Sequence, residues 1–354
     1  MSLPTQTRQW ILAHPPTGSI TLSGPTATFA LETRPLPTPN PNQVLVKVLY
    51  FSNDPAQRGW MGKDVDPERL YTAPVVAGDV MRSYAVAEVV QSNADSLKPG
   101  QLVTATTGWT EYAVLDASEC RALQVDDAAG IRATHFIGAL GGPGLTAYYG
   151  LVDVVRTTAA DNVVVSGAAG ATGSMVVQIA KHIVGCKRVV GIAGSDAKCR
   201  WVESLGADVC VNYKAADFKA QLWKATEGFV DVYFDNVGGE ILDLMLQRIK
   251  RFGRISACGA VSVYNNQPGG GIKNWFEIIT NRIEIKGFIV VDAIAAGKVG
   301  PMLQTLVEGV KAGKIKIGPE SETVVPTEFE DVPKTWTMLF EGGNQGKLIT
   351  ELKP

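Results

Sequence analysis

The stretch Val163-Val164-Val165-Ser166-Gly167-Ala168-Ala169-Gly170-Ala171-Thr172-Gly173, followed by the amphipathic run 174–184, decides the fold. Its β-branched residues read as a buried strand, its glycines as a tight turn, and the apolar periodicity beyond them as a helix. In that order they let the backbone approach a pyrophosphate seated on the N–H groups of the helix N-terminus. The spacing is G-x-x-G-x-x-G, a departure from G-x-G-x-x-G, and glycines alone also serve ordinary turns. Context supports the nucleotide reading. Downstream of about residue 140, apolar runs alternate with helix-length amphipathic segments, as in βαβ units on a parallel sheet. Strands are expected at 162–166, 188–192, 209–212, 230–234, 254–257 and 284–291, which suits a doubly wound sheet.

Upstream, the first third is rich in Pro, Gly and short β-branched runs, at 44–50, 84–90 and 102–106. Turn signals such as Pro39-Asn40-Pro41-Asn42 and Lys98-Pro99-Gly100 separate them, so an irregular β domain is expected there. After Ile317 the βα rhythm is lost, and 346–352 reads as a strand able to rejoin the first domain. The expected division is 1–139, 140–317 and a return at 318–354.

At 354 residues the chain suits two packed domains, and 45% hydrophobic against 19% charged residues marks it as globular. A formal charge of -2 gives no general attraction to nucleic acid or an anionic membrane, and neither partner is expected. The opening residues lack a basic segment followed by an apolar one, and no run approaches a membrane span. The 5 cysteines are irregularly spaced, which speaks against a disulfide framework and suits the reducing cytoplasm. No two form C-x-x-C, and His14, His135 and His182 lie far from one another and from any acidic or Cys partner at ligand spacing. No metal site is expected. His135 and Cys258 lack an acid at a telling spacing, which argues against covalent catalysis.

Cofactor choice turns on the end of the second strand of the parallel sheet, where an NAD site usually carries a carboxylate for the ribose 2′-OH. Here the chain reads Gly191-Ile192-Ala193-Gly194-Ser195-Asp196-Ala197-Lys198. Lys198 can pair with a 2′-phosphate, and Tyr213, after the third strand of that sheet, can add a hydroxyl hydrogen bond, which favours NADPH. Asp196 complicates this reading. The alternative is that Asp196 caps the following helix and Lys198 is a solvated surface charge.

Several further segments stand in order along nearly the whole chain: 53–61 (Asn-Asp-Pro-Ala-Gln-Arg-Gly-Trp-Met), Pro143-Gly144-Leu145-Thr146-Ala147-Tyr148, Gly194 to Lys198, Phe234-Asp235-Asn236-Val237-Gly238-Gly239, Cys258 to Asn265 and Asn344-Gln345-Gly346-Lys347. With the glycine turn, they resemble the zinc-independent medium-chain dehydrogenases/reductases of the NADPH-dependent alkenal and enone reductase group. That group includes leukotriene/prostaglandin reductases, plant double-bond reductases and bacterial curcumin reductase. The resemblance implies an α/β protein with a Rossmann doubly wound parallel sheet plus a GroES-like irregular β domain. Substrate is then expected in the cleft against the Rossmann domain. It further implies that Gly170, Ala171, Thr172 and Gly173 hold the pyrophosphate and that Lys198 and Tyr213 read the 2′-phosphate. Asn236 contacts the cofactor, the loop with Cys258, Gly259, Ala260 and Tyr264 lies over it, and Phe288, Ile289, Val290 and Asn344 meet the nicotinamide end. A homodimer joined edge to edge near 284–291 is also implied.

Two departures from the family pattern stand out. Where many relatives read Asp-Pro-Tyr-Met-Arg, this chain has Asp54-Pro55-Ala56-Gln57-Arg58, so a tyrosine that often lines the substrate pocket is missing. Zinc-dependent cousins carry an early-loop cysteine and a Gly-His-Glu motif near Ala77-Gly78-Asp79-Val80, and neither occurs here.

The activity implied is reduction of the C=C bond of an enone or enal, with hydride reaching the β-carbon and charge developing on the carbonyl oxygen. A phenol, ordinarily protonated below pH about 10, can donate to that oxygen, and Tyr264 is the catalytic candidate. Read without the resemblance, Tyr264 is as readily an aromatic packing residue. Trp60, Met61, Tyr71 and Tyr84 read as core or rim residues that can also shape an apolar pocket. A quinone reductase or secondary-alcohol dehydrogenase on the same scaffold is one rival, and an NADPH-binding sensor or structural protein without turnover is another. Fold alone does not separate them.

Overall fold

The structure is a computed structural model that describes residues 3–62, 66–265 and 271–353. The chain forms two compact units, one from the chain up to Ile137 with Thr323–Gly343 and the stretch from Leu348, the other from Gly138–Glu322 with Asn344–Lys347. Residues 318–322 and 344–347, read from sequence as part of the return segment, group with the second unit. The Gly346 N–H donates to the Ala169 carbonyl at 2.8 Å and ties the latter segment to the glycine turn.

In the first unit β1 (Gln6–Leu12) and β2 (Phe29–Pro35) pair as an antiparallel ladder. A larger sheet contains β3 (Gln43–Ser52), β4 (Tyr84–Ser92), β5 (Leu102–Thr106), β6 (Tyr112–Asp116) and β7 (Arg121–Ala122). Period-two alternation sends Val44, Val46 and Val48 with Ala85, Ala87 and Val89 into one core. There Trp109 meets Phe29 at 5.0 Å and Trp336 at 5.8 Å between ring centroids, both edge to face.

In the second unit β8 (Asn162–Val165), β9 (Arg188–Ala193), β10 (Val209–Asn212), β11 (Val230–Asp235), β12 (Ile249–Ala257) and β13 (Glu284–Gly287) form a parallel sheet in the order β10-β9-β8-β11-β12-β13. Val163, Val164 and Val165 are all fully buried. Consecutive buried side chains are what a sheet covered on both faces requires. The helices are α1 (Gly142–Tyr148), α2 (Ala171–Gln178), α3 (Asp196–Ser204), α4 (Phe218–Ala225), α5 (Gly239–Leu246), α6 (Trp275–Asn281), α7 (Val290–Ala295) and α8 (Val299–Lys311). The strand order reverses between β8 and β11, and such switch points are where open α/β sheets bind ligands.

The chain then returns through β14 (Glu322–Thr327) and α9 (Val332–Glu341) to β15 (Lys347–Leu352), whose Ile349, Thr350 and Glu351 pair antiparallel with Ser52, Phe51 and Tyr50 of β3.

Several elements differ from the sequence reading: β12 starts at Ile249, five residues earlier than expected, and β1 and β2 are not among the expected strands. The helix expected over 174–184 is α2 followed by a wider π-type turn, Ile179–Val184. The strand expected at 284–291 ends at Gly287. Phe288 leaves the sheet to pack edge to face on Phe234 and Tyr149, at 6.0 and 5.8 Å, and Val290 opens α7.

Candidate functional site

Every site residue expected from the sequence lies in the second unit, and all but Asn344 follow the C-terminal ends of the parallel strands. After β8 the chain turns at Gly167, which holds φ 58, a region that favours glycine. The Gly170 N–H donates to the Gly167 carbonyl at 2.9 Å, and the Ala168 N–H donates to Ile192 of β9 at 3.0 Å. Helix α2 starts so close to this turn that a Cβ on Gly173 would lie 2.2 Å from the Gly167 oxygen. The N–H groups of Ala171, Thr172 and Gly173 belong to the first turn of α2, where a helix has no internal acceptors for them. Together these features make an anion cradle. Asn344 joins it: its amide donates to the Gly346 carbonyl at 2.9 Å, and Gly346 bridges to Gly170.

Asp235, at the end of β11, organises the neighbouring loops. Its Oδ1 accepts from the Ser166 hydroxyl at 3.0 Å, the Tyr233 hydroxyl at 2.8 Å, and the Val237 and Gly238 N–H groups at 3.0 Å each. Burial, with the Asp235 charge adding to it, raises the Tyr233 phenol well above its usual value. Asp235 therefore closes the strand end structurally. Its neighbour Asn236 donates its amide to the Ser166 carbonyl at 2.7 Å and stands beside Gly167.

The loop after β12 folds onto the same point. The Cys258 and Gly259 N–H groups donate to the Asp235 carbonyl, and that of Val261 donates to the Asn236 carbonyl at 3.3 Å. Burial pushes the Cys258 thiol up to about 12, which makes it a poor nucleophile. Tyr264 curls back so that its oxygen accepts from the Ala260 N–H at 3.3 Å. A Cβ on Gly259 would sit 3.2 Å from that oxygen and 3.3 Å from the Asn236 carbonyl oxygen, so a glycine permits the approach. Contacts thus run from the glycine turn through Asn236 and Gly259 to Tyr264. Phe288 instead lies against Tyr149 and Phe234, Ile289 precedes α7, and Val290 is its first residue.

At the ribose end, Ser195 caps α3: its hydroxyl accepts from the Lys198 N–H at 3.2 Å. The alternative that Asp196 supplies the cap is therefore corrected. Asp196 instead accepts from the Asn212 amide at 2.7 Å. Tyr213 follows β10, and a Cβ on Gly194 would lie 3.0 Å from its ring. Burial, with the nearby Lys214 charge adding to it, lowers the Lys198 ammonium from its usual value. Asn212 and Lys214 escape sequence reasoning because a polar residue at a strand end carries no motif.

The first unit absorbs the other singled-out side chains. Met61 is fully buried in its core. Trp60 donates to the Tyr71 hydroxyl at 2.7 Å, and Tyr84 donates to Thr104 at 3.2 Å. Gln57, which with Ala56 stands where many relatives read Tyr-Met, is fully buried. It accepts from the Asp54 N–H at 2.8 Å and donates to the Arg82 carbonyl at 2.9 Å, so it holds its loop's own backbone. His135 is buried, and its Nδ1 accepts from the Arg132 N–H at 3.0 Å.

A family model described as the N-terminal domain of oxidoreductase matches residues 8–123, and one described as zinc-binding dehydrogenase matches residues 171–308. Among the described residues no group of three or more His, Cys, Asp or Glu side chains is arranged to hold a metal ion. Prostaglandin reductase 1 of Bos taurus is 36% identical over 330 residues, covering 91% of this chain and 93% of its own. The NADP(+)-dependent 2-alkenal reductase of Nicotiana tabacum is 36% identical over 310 residues, 87% of each chain. The crystal structure of CurA in complex with NADPH, from Vibrio vulnificus, superposes with a TM-score of 0.86 at 34% identity, covering 98% of this chain and 99% of that one. On these matches the chain belongs to the medium-chain dehydrogenase/reductase family of oxidoreductases, in the group that contains the prostaglandin and alkenal reductases.

Proposed function

We propose that this protein uses NADPH to reduce the C=C bond of α,β-unsaturated aldehydes or ketones, with Tyr264 assisting. The observation that carries the reading is the contact path from the glycine cradle through Asn236 and Gly259 to the Tyr264 hydroxyl. The cradle fits a pyrophosphate: three glycines bring backbone N–H groups to one turn, and a side chain at Gly173 would collide with it. Gly170 to Gly173 would hold the pyrophosphate, Lys198 and Tyr213 the 2′-phosphate, and Asn236, Cys258, Gly259, Ala260, Phe288, Ile289, Val290 and Asn344 the remainder. NADPH supplies a hydride when bound.

The chain's own part is to orient substrate and to manage the charge that develops on the carbonyl oxygen. The Ala260 N–H donates to the Tyr264 oxygen and so fixes the direction of the phenol, whose own O–H can then donate to the substrate oxygen. The test is to follow NADPH consumption with an alkenal, an alkenone, a quinone and a ketone, identifying products by mass and NMR. A saturated carbonyl product is expected, and Tyr264→Phe should lower kcat by about 10²-fold, far more than it lowers NADPH affinity. Turnover of quinones but not enones, or NADPH binding without turnover of any acceptor, would refute the reading.

We also propose a homodimer through the β13 edge. Paired antiparallel with its own copy about Ile285, that strand would set Glu284 and Lys286, 2.9 Å apart within one chain, against Lys286 and Glu284 of the other, and Ile285 is exposed on it as are Trp275, Phe276 and Ile279 on the preceding helix.

A further inference from the structure

The end of β9 holds an apparent contradiction. An acidic residue, Asp196, stands in the segment where a carboxylate would serve a ribose 2′-OH and repel a 2′-phosphate, yet Lys198 lies two residues on. The resolution lies on the next strand. The Asn212 amide uses both of its ends: its N–H donates to Asp196 Oδ1 at 2.7 Å, and its carbonyl accepts from the Lys214 N–H at 3.0 Å. One side chain therefore fixes the direction of the carboxylate in the first turn of α3 and the turn that carries Tyr213 and Lys214. Lys214 lies 5.8 Å over the Tyr213 ring, and its charge is felt at Lys198, so the two cations and the phenol form one group.

We propose that Asn212 is a specificity-determining positioning residue. By clamping Asp196, it makes the end of β9 accept a phosphorylated ribose in preference to a free 2′-hydroxyl. This rests on the NADPH reading above. Without the clamp, the Asp196 carboxylate turns toward the ribose, where it repels a dianionic phosphate and accepts from a hydroxyl. The same amide loses its hold on the Lys214 turn, which acts in the same direction.

The test measures binding of NADPH and of NADH separately, by nicotinamide fluorescence, for the unsubstituted protein, Asn212→Ala, and Asn212→Ala with Asp196→Asn. Asn212→Ala is expected to lower the ratio of NADPH to NADH affinity about fivefold, a modest change because Asp196 is exposed and screened. The second substitution, which removes the released charge, should recover most of the ratio. Loss of both affinities in equal proportion would show a merely structural role and overturn the proposal, as would a lowered ratio that Asp196→Asn does not recover. Binding of neither nucleotide by the unsubstituted protein would overturn the cofactor reading itself, whereas an unchanged ratio in Asn212→Ala would overturn only this inference.

Discussion

Asp235→Asn tests what holds the nucleotide-side loops together. The carboxylate oxygen accepts four hydrogen bonds, from Ser166, Tyr233, Val237 and Gly238, at 2.8 to 3.0 Å, and Asp235 is 2% exposed. The substitution keeps the shape and removes the charge. Hydrogen bonds to a charged group contribute about 1.5–3 kcal/mol each and neutral ones about 0.5–1.5, so each bond weakens by about 1 kcal/mol. Over the four the loss is about 4 kcal/mol, a large fraction of the roughly 5–15 kcal/mol that stabilises a domain. Urea unfolding followed by circular dichroism should show the transition of the second unit moving to clearly lower denaturant. NADPH affinity should fall as well, because the carboxylate holds the Val237 and Gly238 N–H groups and the Ser166 hydroxyl, which in turn accepts from the Asn236 N–H at 3.0 Å. A variant within about 1 kcal/mol of the parent would refute the hub argument. Lost turnover at undiminished stability would instead point to chemistry at Asp235.

Gly173→Ala places a Cβ 2.2 Å from a backbone oxygen and 2.8 Å from Ala168 Cα, neither of which yields as a side chain does. A cost of about 1–3 kcal/mol and at least a tenfold loss of NADPH affinity are expected, and affinity within twofold of the parent would count against the cradle. Burial raises Cys120 to about 11 and Cys186 and Cys258 to about 12 from the ordinary 9.0. Between those values the unfolded chain has lost protons that the folded one keeps, so stability should fall as pH rises above about 9; a melting temperature that holds constant to about pH 10.5 would contradict this. At the sheet edge Glu284→Lys should weaken self-association in sedimentation and Glu284→Lys with Lys286→Glu should restore it, whereas a parent protein that sediments as a monomer would remove the dimer.

The sequence was most informative where several local signals coincide. The β8 valines, the glycine turn and the α2 periodicity reinforce one another, and 209–212 and 102–106 match β10 and β5 to the residue. The β1 and β2 pair was not legible: Gln6–Leu12 and Phe29–Pro35 mix polar residues into both faces, so no clean alternation appears. In the run 284–291 the apolar residues continue without a break from Phe288 to Val291 and give no sign that Phe288 turns out of the sheet to meet Phe234. The individual site candidates came from motif resemblance and not from local pattern. The Asn212 clamp was not, because it joins residues sixteen positions apart through a 2.7 Å contact that only the fold creates.

The stitch between Gly346 and the glycine turn bears on biosynthesis. Ala169 offers its carbonyl to Gly346, and residues 349–351 complete the edge of β3. A nascent chain still lacking residues 344–352 therefore leaves an open sheet edge in one unit and an untethered turn in the other. On the nucleotide reading proposed above, loss of residues 344–352 should therefore weaken NADPH binding together with the stabilisation a bound ligand gives.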